Sequence, residues 1–295
     1  MKPIYEMSLI QVEVTNACIN QCANCTRFVG HHPNPFFMDL DTVRKAIDSL
    51  EGYPGNIGLM GGEPTLHPRF REICKIYQEM IPDKRKRQLW TAGYKWDEYK
   101  DIIYETFDKD HISFNDHSTD DGKHSPLLDA VGELVKGKDN QKKLIDSCWV
   151  QQRWSASITP YGCYFCEVAA ALDILFKGKN GWPIEKGWWN KTPEQFQDQV
   201  NSICFKCGAV LPIGEESDHA SYDIVSKKNL KKLKELQSPK IKQGNYALYS
   251  KKWTLKEIAE KIKNWKPFNW RTRYCHSPED YKQYDGEGNS EPRKK

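Results

Sequence analysis

From Ser8 the chain sets Ile10, Val12 and Val14 against Gln11, Glu13 and Thr15. An alternation of this kind places one set on each face of a β-strand. The period then lengthens. Leu40, Val43, Ile47 and Leu50 share one stripe of a helix, with Asp39 or Asp41 as its cap. The two patterns recur: Asn56–Met60 as a strand, His67–Met80 as a helix halted near Pro82, Gln88–Thr91 as a strand, Trp96–Phe107 as a helix and His111–Phe114 as a strand. A further helix is expected around Leu127, Leu128, Val131 and Leu134, after which the alternation fades. Strand–helix units of this length imply an α/β fold with a parallel sheet, and function at the carboxyl ends of its strands. The count of units predicts a partial (βα) TIM-like barrel over residues 1–147, not a full eight-stranded one.

From Cys148 the texture changes. Trp154–Cys166 reads as a hairpin turning at Pro160-Tyr161-Gly162. A short apolar helix follows, then a loop rich in Gly and Trp from Gly178 to Trp189, then a helix over Thr192–Cys204. These define a second, small unit at 148–213. Residues 214–295 form a lysine-rich helical extension. Its first helix carries Leu230, Leu233 and Leu236; its second carries Leu255, Ile258, Ile262 and Trp265 behind a Thr254/Glu257 capping box. The polar end, Glu279–Lys295, is expected to be disordered.

Of 295 residues, 38% are apolar, enough for a core. No run approaches the ~18 apolar residues of a membrane span, so no membrane partner is expected. The first strand begins too early to leave room for a secretion signal, which predicts a cytoplasmic protein. Ten cysteines in such a chain point to metal ligands, not disulfides. Eight fall in groups, namely 18/22/25, 148/163/166 and 204/207, while Cys74 and Cys275 stand alone. The net charge of +4 is mild. The lysines of the extension read either as the solvated face of amphipathic helices or as a track for phosphates.

Cys18-x3-Cys22-x2-Cys25 lies directly after the first strand. Three thiolates from one loop can hold three irons of a 4Fe–4S cluster and leave the fourth iron open; an open position marks a catalytic centre. Gly61-Gly62-Glu63-Pro64 follows the second strand. Its glycines let backbone approach a ligand closely, and its carbonyls and Glu63 suit an ammonium group. In these two motifs the chain resembles the radical S-adenosylmethionine superfamily. The resemblance implies that the nucleotide's amino and carboxylate groups chelate the open iron. An electron from the cluster then breaks the sulfonium carbon–sulfur bond, and the 5′-deoxyadenosyl radical released takes a hydrogen atom from the substrate. It also implies an electron donor such as flavodoxin or ferredoxin. One departure stands out: the residue before the third cysteine, usually aromatic in that family and near the adenine, is Asn24 here. Ser113, Asn115 and His117, at the end of the fourth strand, are candidates to meet the ribose or carboxylate; a simple polar turn is the other reading.

The later cysteines admit two metals. Cys163 and Cys166 with Cys204 and Cys207 would make a zinc site, although the 37 residues between the pairs exceed the ~15–20 usual for such modules. The set Cys148, Cys166, Cys204 and Cys207 resembles the twitch form of the SPASM auxiliary domain, which implies a second, fully ligated 4Fe–4S cluster; Cys163 is then left over, or takes the place of Cys166. Over residues 8–210 the resemblance thus implies a radical S-adenosylmethionine core with a small SPASM/twitch-like auxiliary domain. Cys275, within Trp270–His276, and Cys163 are the thiols an epimerase would use to return a hydrogen atom; each also reads as an inert thiol. Cys74 reads as core packing. The tryptophans of 182–189 suit a sugar ring or the packing of the second unit.

The first functional expectation is a sugar or aminocyclitol epimerase or dehydrogenase acting on a small molecule. The others are a maturase of ribosomal peptides, an enzyme modifying nucleic acid, and a binding module stabilised by zinc and iron. The last is separable by metal content.

Overall fold

The computed structural model describes residues 1–115, 117 and 122–263. Its first strand, β1 (Leu9–Thr15), is buried along its whole length. Ile10, Val12 and Val14 join the main core, while the polar side is enclosed too and carries Glu13 toward Arg27 and Ser157. Then come α1 (Leu40–Asp48), β2 (Asn56–Gly61), α2 (Phe70–Met80), β3 (Arg87–Thr91), α3 (Trp96–Thr106) and β4 (Ile112–Phe114). Asp39, not Asp41, caps α1, accepting the Thr42 N–H at 2.8 Å. α2 starts three residues later than its apolar spacing indicates, because Pro64–Leu66 form a separate 3-10 turn and the His67 ring is hydrogen-bonded to the Met38 carbonyl.

Beyond β4 lie β5 (Lys123–His124), α4 (Val131–Leu134), α5 (Lys138–Asp146) and α6 (Trp149–Arg153). The helix expected from Leu127 shrinks to α4. Leu128 is extended instead, because its carbonyl accepts Ser226 N–H and Asn229 Nδ2 from the C-terminal extension. Next are β6 (Ala156–Thr159), β7 (Gly162–Tyr164), α7 (Glu167–Leu175) and α8 (Gln197–Ile203).

The main sheet runs β4-β3-β2-β1-β6-β7, parallel except for β7. The 154–166 hairpin therefore does not open a separate unit. β6 pairs with β1, Ile10 against Ala156 and Val12 against Ile158, so the boundary expected near 148 falls inside one continuous sheet. Among the described residues no pairing joins β4 to β7, and the sheet is open, not a closed barrel.

The extension holds more than helices. β8 (Glu216–Ser217) pairs with β5. β9 (Asp223–Ser226) and β10 (Tyr246–Tyr249) form a parallel pair bracketing α9 (Lys227–Glu235) and α10 (Pro239–Lys242). Leu230 and Leu233 are buried beneath α9, and its lysines 227, 228, 231, 232 and 234 face solvent. α11 (Leu255–Ile262) opens with the expected Thr254/Glu257 capping box; Trp265 lies outside the described residues. Among the described residues no helix is long and apolar enough to cross a membrane.

Candidate functional site

β1 ends at Thr15, and the loop that follows carries Cys18, Cys22 and Cys25, all half-buried. The three thiols line one cleft at the carboxyl ends of β1–β4. The cleft encloses ≈ 1250 Å³ counted to its open mouth, and Met60, Gly61, Gly62, Thr91, Ala92, Ser113, Asn115 and His117 share its wall. Burial pushes the Cys18 thiol up to about 12, and that of Cys22 upward too.

The glycines press on the cysteine loop itself. A Cβ on Gly62 would lie 2.3 Å from the Ala17 carbonyl oxygen and one on Gly61 2.4 Å from that of Thr15, so only glycine permits this backbone contact. Gly62 N–H donates to Thr15 O (2.8 Å) and Glu63 N–H to Ala17 O (2.7 Å). The Glu63 carboxylate is fully buried: Oε1 accepts from Thr65 N–H and Oγ1 and Thr91 Oγ1, and Oε2 from Ala92 N–H. It thereby ties the loop to β3. Pro64 starts the 3-10 turn behind it and is absent from the cleft wall.

Asn115, His117 and Asp218 form a chain along the far wall. Asn115 Nδ2 donates to His117 Nε2 at 3.0 Å, which leaves the imidazole proton on Nδ1 for Asp218 Oδ2. Burial favours a neutral Asp218, but its hydrogen bond to His117, with the nearby His117 and His124 rings, holds the carboxyl below its usual range. Cys22 Sγ, a His117 ring nitrogen and an Asp218 oxygen all lie within 4.8 Å of one another. Nothing local in the sequence marks Asp218, which is a hundred residues away in the extension.

Behind the thiols sits a buried ionic group. Arg27, 4% exposed, contacts the Glu167 carbonyl (3.0 Å) and carboxylate (3.0 Å), the Glu13 carboxylate (3.6 Å) and Met60 Sδ (3.4 Å). Ser157 Oγ donates to Glu13 and Ser155 Oγ to Glu167. Burial works against the guanidinium charge, but Glu13, Glu167 and the Cys25 and Cys166 sulfurs hold it up. The Glu13 carboxyl itself is raised by burial. Removing one member strands the others in a low dielectric, so Arg27→Met is expected to cost about 3–5 kcal/mol of folding stability, measured by denaturant unfolding of the metal-free chain.

The later cysteines separate cleanly. Cys148, Cys166, Cys204 and Cys207 line one small pocket with Ile145, Phe165, Val168 and Ile203. Burial raises all four thiols, Cys207 to about 12, and the Cys148 sulfur raises the other three further. Cys163 is not among them. It sits in β7 with its backbone paired to Trp182, fully buried, its thiol sensing Lys45 and Glu185. It lines neither the cleft nor the four-thiol pocket. Cys275 lies outside the described residues. Cys74 is core, as its spacing indicates.

Trp182, Trp188 and Trp189 also differ from the sugar-stacking expectation. Trp188 Nε1 donates to Ser49 Oγ, Trp182 Nε1 to Asp198, and Trp189 packs edge-on against Tyr53. The aromatic cleft walls are Trp90, Trp149 and Trp154. Each of two quartet cysteines is followed by a residue of the cleft wall: Cys148 by Trp149, and Cys166 by Glu167. The two thiol sites are thus lined by neighbouring residues of the chain at these two points.

No protein-family model matches the chain, and no curated protein does. Solved structures that are remotely similar include the following three. BtrN in an open conformation is 20% identical over 55% of this chain and 70% of its own, with a TM-score of 0.35. BtrN in complex with AdoMet and 2-DOIA is 15% identical over 68% and 92%, with a TM-score of 0.43. SuiB of Streptococcus suis, bound to the precursor peptide SuiA, is 11% identical over 83% and 49%, with a TM-score of 0.31.

Proposed function

We propose that this chain is a radical S-adenosylmethionine enzyme that oxidises a small polyhydroxylated molecule such as a sugar or aminocyclitol. The observation that carries the reading is the set of three thiols on one strand-end loop, facing a cleft whose wall offers no fourth thiol among the described residues. Three thiolates fit a 4Fe–4S centre with one iron free for a ligand. A centre held there would supply the electron that cleaves the nucleotide to a 5′-deoxyadenosyl radical.

The chain's own groups do the rest. Cys18, Cys22 and Cys25 hold the cluster. The Gly61 and Gly62 backbone and Ser113, Asn115 and His117 offer polar contacts to the nucleotide. The substrate would lie beside the nucleotide in the same cleft. Lys123, Asp218 and the faces of Trp149 and Trp154 would receive that substrate. The quartet Cys148, Cys166, Cys204 and Cys207 would hold a fully ligated auxiliary cluster, as in a SPASM/twitch-like domain, and its sequence neighbours Trp149 and Glu167 in the cleft wall support removal of a second electron. A second cluster able to take that electron favours dehydrogenation over epimerisation. An outside donor such as flavodoxin or ferredoxin would deliver the first electron.

The test is anaerobic reconstitution followed by dithionite and S-adenosylmethionine. The expected result is about eight irons and eight sulfides per chain and 5′-deoxyadenosine formation stimulated by a polyol, with one oxidised product per nucleotide and no deuterium taken from solvent. Stimulation by peptides or RNA alone would move the substrate class. A cluster spectrum unchanged by the nucleotide would overturn the reading.

A further inference from the structure

The C-terminal extension reaches the cysteine loop through a buried polar network. Lys240 of α10, 3% exposed, aims its ammonium at the carbonyls of Cys22 (3.0 Å) and Gln21 (3.4 Å), and lies 2.7 Å from Asp223 Oδ1. An ammonium has three protons, and these three partners match them. Asp223, 2% exposed, also accepts the Asn24 backbone N–H at 2.6 Å and meets His31 Nε2 at 2.7 Å. His31 Nδ1 is 2.8 Å from Ser238 Oγ. The Asn24 side chain completes the tie by accepting Ile224 N–H at 3.0 Å.

The Asn24 departure finds an account here. Asn24 has φ 49°, a left-handed conformation that asparagine tolerates better than most side chains. From it the side chain points to β9, where an aromatic ring could not make the amide contact. Gly30 lies under the Lys240 stem, where an added Cβ would sit 3.1 Å from Cδ.

We propose that Lys240 is a positioning residue of the first thiol centre, through which the extension fixes the peptide planes around Cys22 in ligating geometry. The inference rests on the iron–sulfur reading above. A buried ammonium costs several kcal/mol of desolvation, and Lys240 spends its hydrogen bonds on the very carbonyls that flank Cys22. Holding the Gln21 carbonyl fixes the plane of the trans Gln21–Cys22 peptide, and with it the direction of the Cys22 N–H. Hydrogen bonds to cluster sulfurs and nearby charge set reduction potential, and outer partners of metal ligands typically carry about 10–100-fold in metal affinity.

The experiment uses the full chain, anaerobically reconstituted without nucleotide, as wild type, Lys240→Met, Lys240→Arg and Asp223→Asn. Iron release to a chelator, the electron paramagnetic resonance signal and the midpoint potential of each centre are followed, with Cys18→Ala reporting the second centre alone. Lys240→Met is expected to release iron from the first centre about tenfold faster or more and to shift its signal and potential, leaving the second centre unchanged. Lys240→Arg should recover part of the loss. If Lys240→Met does not fold, Asp223→Asn, which keeps the ammonium but weakens its anchor, should shift the same quantities less. Equal loss from both centres, or a first centre with wild-type release, signal and potential, would overturn the inference. A wild-type chain that takes up no cluster at Cys18, Cys22 and Cys25 would instead overturn the proposed function.

Discussion

Changing any one of Cys18, Cys22 and Cys25 to alanine is expected to halve the iron, from about eight to about four per chain, and to abolish 5′-deoxyadenosine formation. Two thiolates cannot hold a site-differentiated cubane, and the cleft wall offers no fourth thiol among the described residues. The remaining four irons should stay, because the second thiol set lies in its own pocket. Iron and sulfide analysis with chromatography of the nucleoside checks both halves. Product formation persisting at even a hundredth of the wild-type rate in all three variants would remove the basis for placing the reaction in this cleft.

The second large effect separates Cys163 from the quartet. Alanine at Cys148, Cys166, Cys204 or Cys207 should eliminate the other four irons, whereas Cys163→Ala should keep all eight and cost about 1 kcal/mol of packing. With the quartet broken, the first centre should still respond to the nucleotide and form 5′-deoxyadenosine, but oxidised product should fall far below one per nucleotide cleaved. The contrast arises from strand geometry. Cys163 lies within β7, while Cys166 lies just past its end, as N-cap of α7. Zinc in place of iron, lost on Cys163→Ala, would restore the two-pair site that the spacing alone left open.

Much of the fold was legible in local pattern. Alternation in β1 and 3.6-residue stripes in α1, α2 and α3 follow from side-chain burial along single elements, and the 154–166 hairpin from its Pro-Tyr-Gly turn. Elements governed by distant partners were not legible. Leu128 is drawn out of a helix by β9 and α9, and β9 and β10 lie in a segment whose lysines and leucines signal helix alone. The hairpin's membership of the main sheet rests on hydrogen bonds to β1 about 146 positions earlier in the chain.

For the site, the sequence by itself determined which residues have the chemistry: three thiols at loop spacing, two glycines that allow backbone contact, four later thiols among five candidates. Covalent spacing is local, and it bounds what one loop can ligate. Only the tertiary structure decided that Cys163 stands apart, that Glu63 is tied to β3, and that Arg27, Asp218, Asp223 and Lys240 surround the thiols. Buried charge is stable only where its partners converge, and convergence over two hundred residues is a property of the folded chain, not of any stretch of it.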